Sequence, residues 1–479
     1  VTRRVTGRVL VAGGGIAGLA AARALAIGGA SVTVVEAERL GGKLRTSPFA
    51  GRPVDEGADT FLARVPGATE LALDVGLGDA LVAPAEVPAY LLGDAGDLLR
   101  IPSEQLLGVP TDLDALAATG ICTAAGLARA ADDLHAPAGP PLADDMSIGE
   151  LVRARLGDEV LTRLVDPLVG GINAGHTDHL SLATAAPQLD AAARSGEPSL
   201  IRAAAALRAR AATAGSGPMF LTPRLGMGHL ADAVAADLSA RGVELLVPAT
   251  VVTIEPVSAR AGWRVGIRGA GAVPTPERTL EVDAVVIATP APAAARLLTG
   301  VAPAAAEVLG GIEHASVALV TLAFDPPDVA LPLPGSGFLV PRRAGLLTTA
   351  CSWSSSKWPH LAPGCGDGTV LLRASAGRID DRRIDDLDDA DLTDAVVTEL
   401  GSTSGVSGPP RAVRVGRWPG AFPQYGVGHA ARIRSANADL AERARGIVLA
   451  GAALAGVGVP ACIRSGTAAA AALGERSGS

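Results

Sequence analysis

The sequence predicts an α/β fold: a Rossmann-like cofactor-binding domain, a second domain on a mixed or antiparallel sheet, and a helical insertion. Three observations predict it. Strand, glycine turn, helix and second strand open the chain between Val9 and Glu36. Strand patterns vanish from Pro102 to about Ser216, where Ala, Leu and Arg dominate. Two-residue alternation returns from Ser316 to Ala374, as half-buried strands require.

The opening unit sets the rest. After Val9–Ala12, the run Gly13-Gly14-Gly15-Ile16-Ala17-Gly18 fits G-x-G-x-x-G. Its first glycine allows the tight turn, its second lets backbone approach a pyrophosphate, and its third lets helix and strand pack closely. The N-terminus of the Gly15–Ala26 helix offers free N–H groups to the phosphates. Glu36 ends the next strand, where a carboxylate can hold ribose hydroxyls.

The 479 residues imply two or three domains. Apolar residues at 48% and charged residues at 19% give ample core. Aromatics are only 3%, so small residues do the packing. A net charge of −8 argues against nucleic acid as the partner. Cys122, Cys351, Cys365 and Cys462 are scattered, giving neither a zinc pattern nor a disulfide framework, and suggest a reducing cytoplasm. The segment Val1–Arg4 resembles a signal n-region, but the apolar run behind it carries the glycine motif and Arg23, so no signal peptide is expected. No run reaches the ~18 apolar residues of a membrane span.

Along the chain, a helical pattern runs from Phe61 to about Val75. Short strands follow at Val87–Leu92 and Leu98–Ile101, with Gly93-Asp94 between them. In the insertion, Pro137–Pro141 reads as a loop and Ser147-Ile-Gly-Glu150 as a capping box. Gly157 ends that helix, and Asp158 is expected to cap the next. Val243–Leu246, Thr250–Ile254 and Glu281–Thr289 read as strands. The last unit, Gly446–Gly451 then Gly456–Leu473, is a second strand–glycine–helix. The organisation expected is a cofactor domain from 1–85, 217–292 and 411–479, a substrate domain from 86–101 and 293–410, and an insertion at 102–216.

Several motifs add a resemblance. Glu38-Arg39-Leu40-Gly41-Gly42-Lys43, Thr46 and Val54–Phe61 resemble the extended fingerprint of the FAD-dependent amine oxidase and protoporphyrinogen oxidase superfamily. That resemblance implies noncovalent FAD. It places Ala37 beside Glu36, Gly42 and Lys43 along the cofactor, and Gly57, Ala58, Asp59 and Thr60 near its ring. It also implies Val252 against the adenine, with Trp418, Gly451, Val457, Gly458 and Val459 on the cofactor.

Asp166–Gly175 with Leu180-Ser181-Leu182 resembles the "PL..GI.AGD...LSL" segment of protoporphyrinogen and coproporphyrinogen oxidases. His176 stands where those have an acid. Cys351–His360 resembles the "C-x-W…KWPH" signature of the Gram-positive coproporphyrinogen III oxidase branch, and Pro423–His429 resembles "PQY..GH". The resemblance spans Val9 to Leu473. It implies six-electron oxidation of a porphyrinogen in three flavin cycles, with molecular oxygen as reoxidant, hydrogen peroxide as by-product and coproporphyrinogen III as substrate. Protoporphyrinogen IX is the alternative substrate. An amine oxidase or a desaturase is the alternative class, although two tyrosines give an amine oxidase few aromatics and a desaturase lacks the Gly-Gly-Ile-Asn-Ala-Gly run.

No side-chain base stands out and no metal cluster does. The backbone of Gly171, Ile172, Asn173 and Ala174 is therefore expected to take the pyrrole N–H protons. Lys43, Arg45, Arg224 and Lys357 are the candidates for the propionates, and Ser336 and Leu339 line the substrate pocket with Gly171 and Ala174. The expected setting is cytoplasmic, at most peripheral on the membrane, with transient contact to the next haem-pathway enzyme. The Ile201–Ala214 run, with Arg202, Arg208 and Arg210, is the surface-helix candidate.

Overall fold

The computed structural model describes residues 7–137, 142–213, 217–258, 261–269, 278–330 and 332–476. Val1–Arg4, residues 138–141 of the Pro137–Pro141 loop, and Ala214 lie outside them.

Five parallel strands form the first sheet, in the order Glu244–Leu246, Ser31–Val35, Arg8–Ala12, Ala284–Ile287, Ile447–Leu449. The central strand Arg8–Ala12 is buried from Val9 onward, as its unbroken apolar run requires. Two helices cover one face, Ile16–Ile27 and Val459–Arg476. They pack closely because their contact is built from alanine and glycine: a Cβ at Gly466 would stand 2.1 Å from the Ala17 carbonyl oxygen. The Met227–Ala240 helix joins them. A three-stranded antiparallel sheet, Ala249–Pro256, Trp263–Gly269 and Arg278–Val282, takes in the segment expected as a strand at Thr250–Ile254.

The second sheet has seven strands, in the order Ala412–Pro423, His314–Phe324, Val370–Ala376, Thr348–Ser352, Gly337–Leu339, Tyr90–Leu92, Leu98–Arg100. All pairs are antiparallel except Gly337–Leu339 with Tyr90–Leu92. Ala412–Pro423 belongs to this sheet, although the sequence division at 411 gave it to the cofactor domain. Its Gly416, Pro419 and Gly420 hide the alternation.

The insertion packs on its own apolar core. It opens with a small hairpin, Gln105–Leu106 with Val109–Pro110, where no strand was expected. Ser147 Oγ accepts the Glu150 N–H at 3.0 Å, forming one half of the expected capping box. Asp158 does not cap: its Oδ1 takes Arg153 Nε at 2.6 Å instead. Leu161–Gly170 winds as a π-helix around Pro167, whose missing N–H cannot support a regular turn. This wide winding delivers the chain to Gly171.

Candidate active site

The glycine turn divides its residues by the space around them. A Cβ at Gly18 would lie 1.9 Å from the Gly13 oxygen, so this position holds helix against strand. Gly13 has φ +105, open to glycine and strained for other residues. At Gly15 a Cβ would meet nothing within 4 Å. Gly451 is equally open, and at Gly458 only Pro460 Cδ comes within 4 Å. Open backbone thus gathers at the N-termini of Ile16–Ile27 and Val459–Arg476, where unsatisfied N–H groups favour anionic ligand atoms. Glu36 sits beside the turn: Oε2 accepts Gly14 N–H at 2.7 Å and Oε1 accepts Glu38 N–H at 2.9 Å. Ala37 is exposed next to it, and Val252 stands at a bulge in its strand. These residues fit a dinucleotide.

A second group closes on the first through the strand Ala412–Pro423. Gly41 N–H donates to Gly14 O at 2.8 Å, setting Gly42 and Lys43 over the turn. Lys43 O accepts Ala58 N–H at 3.2 Å, and Lys43 Nζ donates to Ala421 O. Lys43 keeps accessible surface while protein atoms crowd it, so it faces an interior groove; burial pushes its ammonium below the usual lysine range. Trp418 Nε1 donates to Glu56 O at 2.8 Å, and its ring lies 3.2 Å from where a Gly57 Cβ would be.

Trp418 also packs with Ala174, Val317 and Phe422. The Gly171–Ala174 segment is therefore brought to the same place as Gly57 and Lys43. Gln424 Nε2 donates to Asn173 O at 3.0 Å, and Ile379 N–H donates to Ala174 O at 2.9 Å. Ala174 has φ +46, a strained position for alanine that these bonds hold. Gly171 O also accepts Ala174 N–H at 3.4 Å, so three of the four carbonyls in the expected proton-accepting run are already engaged. Ile172 is 55% exposed, Gly171 is exposed, and Ile172 O has no hydrogen-bond partner among the described residues.

The basic candidates separate. Lys357 Nζ lies 3.3 Å from Asp59 Oδ2, and Arg45 Nε lies 2.8 Å from Glu56 Oε2. Arg224 is exposed, with no ion-pair partner among the described residues. Ser336 Oγ is tied to Pro88 O at 3.2 Å, and Leu339 packs toward the insertion. The glycines around them serve strand contact rather than opening space. A Cβ at Gly335 would be 2.1 Å from Pro88 O, and one at Gly337 would be 2.1 Å from Cys351 O. Thr60 Oγ1 donates to Leu221 O at 2.9 Å, away from any ligand role by that atom.

Sequence reasoning missed Arg373. Its guanidinium donates to Gly57 O and stands 3.6 Å from Asp59 Oδ2. Burial pushes the Asp59 carboxyl up, but Lys357 and Arg373 outweigh that and hold it at about 2. One signal was available: Arg373 interrupts the apolar run Val370-Leu371-Leu372 and shares a strand face with Leu371. His314 was missed too. Burial, with Lys43 nearby, lowers its imidazole below the usual range despite a contact to Ile312 O.

A parallel nucleotide-binding sheet, two helix N-termini on one groove, and a second sheet closing over it define a dinucleotide-dependent oxidoreductase fold. The chain belongs to the flavin containing amine oxidoreductase family, whose model matches residues 16–474. It is 34% identical over 475 residues to a coproporphyrinogen III oxidase of Bacillus subtilis, covering 96% of each chain. It is 34% identical over 457 residues to one of Mycobacterium tuberculosis strain H37Rv, covering 95% of this chain and 94% of the relative. A solved structure from Exiguobacterium sp. 255-15, provisionally described as a protoporphyrinogen oxidase, superposes with TM-score 0.84 at 30% identity, covering 98% of this chain and 99% of that one. Among the described residues no helix is long and apolar enough to cross a membrane, and no group of His, Cys, Asp or Glu could hold a metal ion.

Proposed function

We propose that this chain is an FAD-dependent, oxygen-dependent coproporphyrinogen III oxidase of haem biosynthesis, yielding coproporphyrin III and hydrogen peroxide. The observation that carries the reading is the meeting of the Gly171–Ala174 segment with Lys43, Gly57 and Trp418 in one groove. Relatives named for this reaction support it over nearly the full chain.

In this reading Gly13–Gly18, Glu36 and Ala37 hold the adenosine and pyrophosphate, with Val252 beside the adenine. Gly42, Lys43, Gly57–Thr60, Trp418, Gly451 and Val457–Val459 hold the rest. FAD supplies hydride acceptance, two electrons per cycle. The chain supplies position, water exclusion and fixed dipoles. The open backbone edge at Gly171 and Ile172 faces the substrate, and Ile172 O is the carbonyl available to a pyrrole N–H. Arg224, exposed and without an ion-pair partner among the described residues, is the first cation for a propionate, with Lys43 second. Arg45 and Lys357 reach one only by leaving their partners.

FAD is noncovalent. Cys462 is buried with Sγ 3.8 Å from both Gly456 O and Val457 O, and burial pushes its thiol up to about 11, so little nucleophilic thiolate exists near neutrality. Acid-denatured protein should release all yellow colour, and colour in the precipitate would mean a covalent link. The setting is cytoplasmic and at most peripheral on the membrane. The Leu200–Thr213 helix spends its apolar residues Leu200, Ile201 and Ala204 on the insertion core and shows water Arg202, Arg208 and Arg210. Quantitative pelleting with membranes in high salt would overturn this.

The deciding experiment is aerobic turnover of colourless porphyrinogen, read as porphyrin fluorescence. The kcat/KM ratio should favour coproporphyrinogen III, because its two further carboxylates demand cations at the entrance. A ratio favouring protoporphyrinogen IX reassigns the substrate, and no fluorescence removes the enzyme reading.

A further inference from the structure

The segment that carries Ile172 O is closed at its base by two buried residues, Asp166 before it and Thr177 after it. Asp166 Oδ1 accepts the Thr177 hydroxyl at 2.8 Å and the Thr177 N–H at 3.2 Å. Inside that closure Gly175 N–H donates to Gly170 O at 3.0 Å. The chain between them is a loop with fixed ends.

Arg342 joins this base to the second sheet. It opens the short helical turn Arg342–Ala344, just after the strand Gly337–Leu339. Its Nε donates to Asp166 Oδ2 at 2.9 Å, its Nη2 to Gly175 O and its Nη1 to Asp380. Three acceptors around one head group suit the guanidinium fork rather than a compact ammonium. Arg378 braces the same turn by donating to Val340 O at 2.7 Å, and its neighbour Ile379 gives its N–H to Ala174 O. Two successive carbonyls, of Ala174 and Gly175, are therefore held by the second-sheet domain.

We propose that Arg342, acting through Asp166 and Gly175 O, is the positioning residue that aims the Ile172 carbonyl. Of the Gly171–Ala174 carbonyls, that of Ile172 is the one without a partner among the described residues. Its direction follows from where the loop ends are held, and Arg342 holds both ends at once. Removing the guanidinium strands the buried Asp166 carboxylate and frees Gly175 O, so the base shifts. The use of Ile172 O toward a pyrrole N–H rests on the oxidase reading; the staple itself does not. Arg342 also faces a cleft of about 180 Å³, lined with it by Asp166, His176 and Thr177 but by none of Lys43, Gly57 or Trp418. A small cation can reach Asp166 through that cleft.

Hydrogen exchange of the holo protein, read peptide by peptide, tests the staple without substrate. In Arg342→Gln the stretch 166–177 should exchange about tenfold faster, while the Gly13–Gly18 turn keeps its rate. Unchanged exchange over 166–177 overturns the proposal. Steady-state turnover of coproporphyrinogen III tests the aim. Arg342→Gln should lower kcat about tenfold with KM within about twofold, because the substrate's own contacts remain. Reoxidation of photoreduced flavin by dioxygen should be unchanged. A loss confined to KM, or an equal slowing of reoxidation, means general loosening and overturns the positioning role. Arg342→Lys, which keeps a cation beside Asp166 and loses the fork, should show the same split at smaller size. In Arg342→Ala, millimolar guanidinium chloride should restore kcat severalfold where sodium chloride does not, and no recovery counts against action through Asp166. A wild type that oxidises no porphyrinogen sinks the oxidase reading, and the exchange measurement still decides the staple.

Discussion

Two glycines in one turn make opposite predictions. Gly18 is closed by the Gly13 oxygen, so Gly18→Ala forces helix from strand and should cost about 1–3 kcal/mol as well as flavin retention. Gly15 faces open space with φ −67, so Gly15→Ala should leave thermal stability within about 0.5 kcal/mol. It should still lower bound flavin, because the methyl stands where a pyrophosphate approaches. Flavin absorbance per protein, set beside a melting curve, checks both. Equal losses for the two variants would show that Gly15 is structural.

Asp59 gives a third residue-level outcome. Asp59→Asn leaves Lys357 and Arg373 facing one another without their carboxylate, a loss on the order of 3 kcal/mol. Its folded carboxyl lies below the ordinary value of 3.8, so the stabilisation is present above about 4 and fades as pH falls toward 2. The difference in urea stability between variant and wild type should therefore shrink in strong acid. A gap constant with pH would mean the pair is not ionised.

At the scale of elements, small residues decide how closely helices approach. The Ile16–Ile27 and Val459–Arg476 helices meet with Gly466 against the Ala17 carbonyl. Gly466→Val should push them apart and lower the melting temperature sharply, while Gly29→Ala, at a surface turn with open space, tests only local backbone strain. Similar melting temperatures would refute the close contact. The 3% aromatic content had already pointed to packing by alanine and glycine. What was legible had its cause nearby in the chain: the glycine turn, its acid, the Ser147 cap and the second strand–glycine–helix. What was not legible joins distant segments. Arg373 meets Gly57, and Lys357 meets Asp59, across hundreds of residues, and no local pattern marks such partners. Ala412–Pro423 was misassigned because glycine and proline break its alternation, although pairing with His314–Phe324 rescues the strand.

At the scale of the molecule, one carboxylate ties insertion to cofactor sheet. Asp145 accepts the Ser181 hydroxyl at 2.8 Å and Gly428 N–H at 2.7 Å. Ser181 N–H donates to Tyr425 O at 2.7 Å, and Tyr425 and His429 reach Ala452 O and Ala453 O beside the cofactor groove. The insertion and the last glycine segment are thus one connected unit.

Two groups with shifted titrations, Asp55 and His360, impose a pH dependence on the whole fold, and they oppose each other. Asp55 has a folded value near 6, above the ordinary 3.8. Folding therefore binds a proton there between about pH 4 and 6, and that stabilisation is full below 3.8 and lost as pH rises through 6. His360 has a folded value near 4, below the ordinary 6.5. Folding releases a proton there over nearly the same window, and that stabilisation is full above 6.5 and lost as pH falls through 4. The two slopes cancel in the wild type. Asp55→Asn removes one of them and keeps the oxygen that accepts Met227 N–H. Relative to wild type, the variant's unfolding free energy should then rise with pH between 4 and 6 by on the order of 1.4 kcal/mol per unit. Urea unfolding of both proteins at pH 4.5, 5.5 and 7.5 measures the difference. A difference flat across that range would mean that Asp55 titrates at its ordinary value and that its burial does not set its charge.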